Sequence, residues 1–387
     1  MRASYAVLRQ DPSFVYLDHA TTGLLSDGVR EAVAEMLVAG GTAGRTSHPL
    51  GHAATGAYEG ARRTVAGWFG AAPEEIVFAA SATAGLNLVA TGWGRAHLLP
   101  GDRIVVDGLA HHAGLLPWRA VAAEVGARVQ IVRLTRTGDL DLEDLEQLLQ
   151  QQPRVLVLTH VSNVTGGVVD LGRVIGRVRD LAPDCLVVVD GCQAVPHLVP
   201  EPAWRRADVY VFSGHKLGGP PGLGVVWAPR ARWAEFVPAV WGGGMVAGVS
   251  DSGQELAPAP WRFEAGTPPH LAAVGLAVAL QDERVDVAPL VEVAARGLQW
   301  LPGVTVVGDP ARRVGLVAFV VDGWHAHDVA SHLATAGIAV RAGHLCAEPA
   351  VRRLGHEAVV RASFGPGNGP DDVTALLDAV RRCAETR

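Results

Sequence analysis

Lysine occurs once in these 387 residues, at Lys216, against 32 arginines. A chain that carries nearly all its positive charge as arginine has little use for lysine as surface charge. Arginine stays protonated in proteins, whereas a lysine amine can lose its proton and attack a carbonyl. Taken alone, Lys216 is either a stray surface charge or a Schiff-base residue. Its neighbours favour chemistry. Lys216 follows Ser213, Gly214 and His215 at the end of an apolar run, with "GGPPGLG" just beyond. A lysine there can reach a bound aldehyde, and Ser213 and His215 can donate hydrogen bonds to a phosphate beside it. The preceding apolar run, "CLVVVD", ends in Asp190, with Gln193 three residues on. A carboxylate in that place can pair with a pyridinium N–H, which a pyridoxal phosphate site requires, and Gln193 can bond the ring's phenolic oxygen. Ser81 and Thr83 fall at a strand-to-helix junction, where hydroxyls and backbone N–H groups bind phosphate. His111 starts a helix after another strand and can stack on a ring or relay a proton. Each residue also has a plainer reading: Asp190 as a buried cap, Ser81 and Thr83 as N-caps, His111 and His112 as a surface pair. Asp–x–x–Gln closing one strand and His–Lys closing the next is more specific than any member.

The elements that must hold these residues alternate along the chain. "EEIVFAAS", "DRIVVDG", "RVQIVRL", "RVLVLTHVSN", "CLVVVDGCQAV", "ADVYVFSGHK" and "GLGVVWAP" read as strands. "TAGLNLVATGW", "HHAGLLPWRAVAAEVG" and "DLEDLEQLLQ" read as helices between them. The alternation predicts an α/β fold with a mostly parallel sheet covered on both faces. Ligands of such sheets sit at the carboxyl ends of the strands, here at Ser81, Asp107, Asn163, Asp190 and Lys216. Trp241 to His270 is rich in Gly and Pro and is expected to be irregular. "LAAVGLAVALQD" then reads as a helix leading out of a large unit spanning 13–281. A smaller α+β unit follows from residue 282.

Bulk properties narrow the class. A net charge of -6 without a basic cluster argues against nucleic acid as the main partner. The longest apolar stretch, Leu271 to Leu280, is about half a membrane span, and no signal peptide is visible at the N-terminus. Four cysteines do not make a disulfide scaffold, so a cytoplasmic setting is expected. His325, His327 and His332 lie near Asp328 without a recognised ligand spacing, so no metal is expected.

From these residues the chain resembles, almost end to end, the pyridoxal-phosphate-dependent class V aminotransferase group (fold type I). Within it, the chain is similar to the SufS-type cysteine desulfurases and selenocysteine lyases. The motifs are "YLDHATTG", "HHAGLLPW", "THVSNVTG", "VVVDGCQAV", "DVYVFSGHKLGGPPGLG", "APWRFEAGTP", "RAGHLCAEP" and "VRASFGPGN". The resemblance implies that His111 stacks on the ring and Asn163 contacts cofactor and substrate. It implies that Asp190 and Gln193 bind the ring, that Lys216 forms the Schiff base, and that Thr267 reaches the phosphate of a partner subunit. Arg361 then binds the substrate carboxylate and Cys346 is the catalytic cysteine. It also implies a homodimer with shared active sites and a small domain made of 1–12 and 282–387.

Cys346 sits in a Gly- and Pro-flanked loop with Arg341 and His344, which favour a thiolate; Arg341 is a second candidate for the substrate carboxylate. Read without the resemblance, Cys346 is more simply a small apolar residue that fills a gap. Cys192, inside "DGCQ", reads as packing, and Cys185 and Cys383 suggest no chemistry. The implied reaction converts L-cysteine to L-alanine, leaves a persulfide on Cys346 and passes the sulfur to an acceptor. Four departures from the family pattern lie near the substrate or cofactor entrance; they leave cofactor binding in place and bear chiefly on the substrate. Ala110 replaces an acid, "SATAG" with Ala82 and Ala84 replaces an arginine- and glutamate-containing phosphate segment, "SHPLGH" alters a histidine–arginine stretch, and "GPGN" with Gly367 replaces an aromatic-containing turn. The alternatives are selenocysteine lysis, C–S β-elimination, epimerisation or transamination on the same fold. A non-catalytic scaffold is least favoured, because Lys216, Asp190, His111 and Cys346 are all present.

Overall fold

The computed structural model describes residues 2–44, 46–309 and 312–385. The chain enters through a two-residue strand, β1 (Val15–Tyr16), and then builds β2 (Ile76–Ala79), β3 (Arg103–Val106), β4 (Arg128–Ile131), β5 (Val155–Thr159), β6 (Leu186–Asp190), β7 (Val209–Ser213) and β8 (Gly224–Trp227). β2 to β8 form one sheet in the order β2-β8-β7-β6-β5-β3-β4. Only β8 runs antiparallel to its neighbours. This is the α/β, mostly parallel architecture expected from the alternation.

Side-chain alternation along each strand serves two cores. Val105, Leu156, Val187 and Tyr210 face one side, with Phe69, Leu149, Val174 and Leu276 packed over them. Ile104, Val157, Val188 and Val211 face the other, under Leu86, Val89, Trp118 and Val121. Because both faces are covered, β5, β6 and β7 are buried at every position. Their unbroken Val and Leu runs are what such strands need.

The helix His270–Ala279 is apolar nearly all round because it is sunk in the first core through Ala272, Ala273, Leu276 and Ala277. It therefore closes the large unit. The segment expected to be irregular, Trp241 to His270, instead contains a hairpin of β9 (Val246–Ser250) and β10 (Gly253–Leu256) and a 3-10 turn at Trp261–Phe263. Almost all of the hairpin is exposed, so no buried face imposes an alternating pattern on its sequence.

The smaller unit carries β11 (Val304–Val306), β12 (Leu316–Val321), β13 (Ile338–Ala339), β14 (Arg341–Gly343) and β15 (Val359–Ser363). β11, β12, β15 and β14 form an antiparallel sheet in that order, while β13 pairs with β1 in parallel. Val15 and Leu17 lie in the core of this unit with Val329, Phe319 and Leu376. The N-terminal segment thus stays with the small unit past residue 12. Among the described residues no helix is long and apolar enough to cross a membrane.

Candidate active site

A cavity of about 360 Å³ opens where the carboxyl ends of the large sheet meet the small unit. The large unit contributes Ser81, Thr83, His111, Asn163, Asp190, Gln193, Ser213, His215 and Lys216, and the small unit contributes Arg341, Cys346 and Arg361. Of the site residues expected from the sequence, only Thr267 lies away from it, exposed on the loop after Phe263.

Lys216 sits in a single 3-10 turn, Gly214–Leu217, directly after β7. The N-terminal segment crosses behind it, with the Gly23 N–H donating to the His215 carbonyl at 2.8 Å. A Cβ on Gly23 would stand 2.6 Å from the Gly218 nitrogen, so only glycine lets the two backbones approach this closely. His215 stays mainly neutral, because burial and the neighbouring Lys216 lower its pKa.

Asp190 is the last residue of β6 and is buried, with Oδ1 accepting the Cys192 N–H at 3.0 Å. Gln193 donates from Nε2 to the Ala20 carbonyl at 2.7 Å, while its buried Oε1 has no partner among the described residues. The Ser213 hydroxyl accepts the Ala82 N–H at 3.0 Å, and the Ser81 hydroxyl caps the helix Ala82–Val89 by accepting the Ala84 N–H at 3.1 Å. Each hydroxyl keeps its own proton to donate, beside a helix N-terminus that favours negative charge. The capping and the anion-binding readings of Ser81 are therefore compatible.

His111 caps the helix His112–Val125, its Nδ1 accepting the Ala113 N–H at 3.0 Å. That places the ring proton on Nε2. Burial lowers its pKa to about 4, with Asp190 opposing and Lys216 reinforcing, so His111 lines the cavity as a neutral imidazole.

The opposite wall is a charged lattice. Arg361, in β15, is buried; Nη1 donates to the Asn163 carbonyl at 3.0 Å and Nη2 to Thr21 Oγ1 at 2.9 Å. Burial lowers its pKa to about 10, which leaves it charged at neutral pH. Arg341 donates from Nη2 to Asp18 Oδ2 at 2.6 Å, and Asp18 Oδ1 lies 3.6 Å from Arg361. Asp18 and Thr21 thus hold both arginines, a role not assigned from the sequence. Both lie in "YLDHATTG", but nothing in their spacing points to residues more than 300 positions away. Asp107, read only as a strand ending, is a second such case. It is buried, has no cationic partner among the described residues, and accepts from the Thr159 N–H, from Thr159 Oγ1 and, at 2.9 Å, from the Leu109 N–H. Burial raises its pKa to about 7.

Cys346 is exposed, whereas Cys185, Cys192 and Cys383 are buried. Burial raises the pKa of all three, that of Cys185 to about 12. Cys192 also lies on the cavity wall, but burial and Asp190 disfavour its thiolate, in line with packing. Leu345 and Cys346 adopt φ of 55° and 54°, a left-handed conformation that costs roughly 1–2 kcal/mol per non-glycine residue. Asn163 donates from Nδ2 to the Leu345 carbonyl at 2.7 Å, and its buried Oδ1 has no partner among the described residues. His325 starts a helix, its Nδ1 accepting the His327 N–H at 3.4 Å.

Two buried amide oxygens without partners, a carboxylate at a strand end, a lysine one strand over and two hydroxyls at a helix N-terminus together fit a flat, anionic heterocycle such as pyridoxal phosphate.

Comparison with known proteins points the same way. The aminotransferase class-V family model matches residues 15–376. A probable cysteine desulfurase 2 of Mycobacterium leprae (strain TN) is 38% identical, covering 98% of this chain and 94% of the relative. A cysteine desulfurase of Escherichia coli O9:H4 (strain HS) is 37% identical, covering 99% and 97%. The crystal structure of the cysteine desulfurase CsdA (S-sulfonic acid) from Escherichia coli superposes with a TM-score of 0.90 at 36% identity, over 99% of this chain and 97% of that one. The apo cysteine desulfurase from Thermococcus onnurineus NA1 gives 0.94 at 33%, over 100% and 98%. With its sheet order, its strand-end lysine and carboxylate, and full-length likeness to these proteins, the chain belongs to the class-V aminotransferase family, in its cysteine desulfurase branch.

Proposed function

We propose that this protein is a pyridoxal-phosphate-dependent cysteine desulfurase that converts L-cysteine to L-alanine and retains the sulfur on Cys346. The observation that carries the reading is one cavity in which Lys216, Asp190 and His111 face Arg361 and Cys346. Pyridoxal phosphate, when bound, supplies a sink for the electron pair left at Cα after deprotonation. Lys216 would anchor its aldehyde carbon, with Asp190 available to the ring nitrogen and Gln193 to the phenolic oxygen. Ser81, Thr83, Ser213 and His215 would receive the phosphate, and the neutral imidazole of His111 would offer its face to the ring.

The rest of the work falls to protein groups. Arg361 holds the substrate carboxylate, with Asn163 and Arg341 beside it. The Lys216 amine, once free, takes the Cα proton and later returns a proton on the path to alanine. The Cys346 thiolate attacks the substrate sulfur; the S–Cβ bond breaks and a Cys346–S–S bond forms. Alanine leaves, and the persulfide sulfur passes to an acceptor.

We also assign 282–387 and the N-terminal segment through residue 17 to the small domain, and the chain between them to the large one. A homodimer accounts for Thr267, which would reach the phosphate of a second copy. The exposed apolar side chains Leu37, Val38, Val240 and Trp241 support an interface. Cysteines without disulfides suit a reducing cytoplasm. Incubation of the holoenzyme with L-cysteine tests the function: alanine with a persulfide on Cys346 supports it, and pyruvate moves the protein to β-elimination.

A further inference from the structure

A second cavity, of about 570 Å³, opens on the far side of the cysteine loop and is lined by His112, His325, His327 and His344. It shares just two lining residues with the inner cavity, Leu345 and Cys346. The partition between the two spaces is therefore the pair of residues held in the left-handed conformation. Such a conformation persists only when its surroundings over-determine it. Three hydrogen bonds do so. Asn163 grips the Leu345 carbonyl, the His112 backbone N–H donates to the Cys346 carbonyl at 2.6 Å, and the Glu348 N–H donates to His112 Nε2 at 3.3 Å.

We propose that His112 is a positioning residue whose imidazole latches the cysteine loop and keeps Cys346 presented to the inner cavity. The inference rests on the reading of Cys346 as the nucleophile. Residue 112 supplies its backbone N–H whatever its side chain, so the imidazole adds one specific contact. Nε2 must accept, which requires a neutral ring with its proton on Nδ1. The accepted N–H lies in the first turn of the helix Glu348–Arg353, where backbone donors have no partner within the helix. His112 does not line the inner cavity, so it acts through the loop rather than on cofactor or substrate. It also ties the loop to the helix that His111 caps, so the ring-facing histidine and the cysteine keep a common frame.

The test uses holoenzyme variants His112→Ala and His112→Gln, with Cys346→Ala as the control for alkylation at that residue. In His112→Ala the visible cofactor band should be retained, alkylation of Cys346 by iodoacetamide should quicken roughly three- to tenfold, and kcat for alanine release should fall by a similar factor at unchanged KM. His112→Gln, whose Oε1 can accept the Glu348 N–H, should recover most of both. Wild-type alkylation in His112→Ala overturns the latch. So does a His112→Gln protein as impaired as His112→Ala, or loss of the cofactor band in both variants, which would place His112 in support of the fold. Alkylation does not depend on the substrate. Inactivity of the unaltered enzyme toward L-cysteine, with the alkylation result intact, therefore removes the proposed function and leaves the latch.

Discussion

The two walls of the cavity are built on opposite principles. On the large-unit side, Asp190 and Lys216 extend from strands buried at every position, and their places follow from sheet register. On the small-unit side, Cys346 sits in a left-handed loop and Arg341 and Arg361 share the carboxylate of Asp18. The first wall is held by packing, which has few alternatives in a close-packed core. The second rests on one buried strand, β15, which carries Arg361, and otherwise on a handful of polar contacts over long sequence distances. A cofactor anchor benefits from the first arrangement. On the proposed function, a residue that takes up sulfur and then releases it would benefit from the second, because a few hydrogen bonds can be exchanged at small cost.

If the walls are separable, variants should affect one and spare the other. The largest effect is expected for Lys216→Ala, which should abolish the visible cofactor band and turnover together while Cys346 still alkylates; a persisting band removes the lysine assignment. Cys346→Ala should stop alanine release from L-cysteine and leave the band intact, and normal turnover would move the protein to another reaction class. These two absorbance and product measurements are the direct check on independence.

Acid should act on the fold as a whole rather than on one wall, since of the histidines involved only His111 lines the cavity. Burial lowers the pKa of His19 and His160 to about 3 and of His111 and His197 to about 4. Between pH 6.5 and 4 the unfolded chain therefore binds protons that the folded chain refuses, so stability falls as pH falls through this window. Asp107 opposes the trend, since its pKa of about 7 lets the folded chain keep a proton that the unfolded chain loses above about 3.8. From these five groups, four histidines against one carboxyl leave about three protons, or about 4 kcal/mol per pH unit. Denaturant titrations at pH 5 and pH 7 would measure the slope, and a flat profile would show that these histidines are not held neutral. The smallest effect is expected for Asp18→Asn. It should raise KM for L-cysteine roughly three- to tenfold by loosening both arginines, with the cofactor band unchanged. A shifted band would mean that the walls are not separable.

Legibility followed the same division. Asp190, Gln193 and Lys216 were readable because β6 and β7 are continuous apolar runs whose polar ends mark the cavity. Cys346 was singled out by its loop and by family likeness, not by spacing alone. Asp18 and Thr21 went unassigned because their partners, Arg341 and Arg361, lie more than 300 residues on. The β9–β10 hairpin escaped because its exposed strands carry no alternation.

By itself, the sequence determined the alternating fold, the strand-end lysine and carboxylate, and the presence of a loop cysteine, since periodicity and strand punctuation are local properties. Only the tertiary structure decided which groups complete the second wall. It set the left-handed turn at Leu345 and Cys346, the sharing of Asp18 between two arginines, and the grip of His112 on the cysteine loop. Such contacts form where two units meet, and no local pattern records which distant residue will be there.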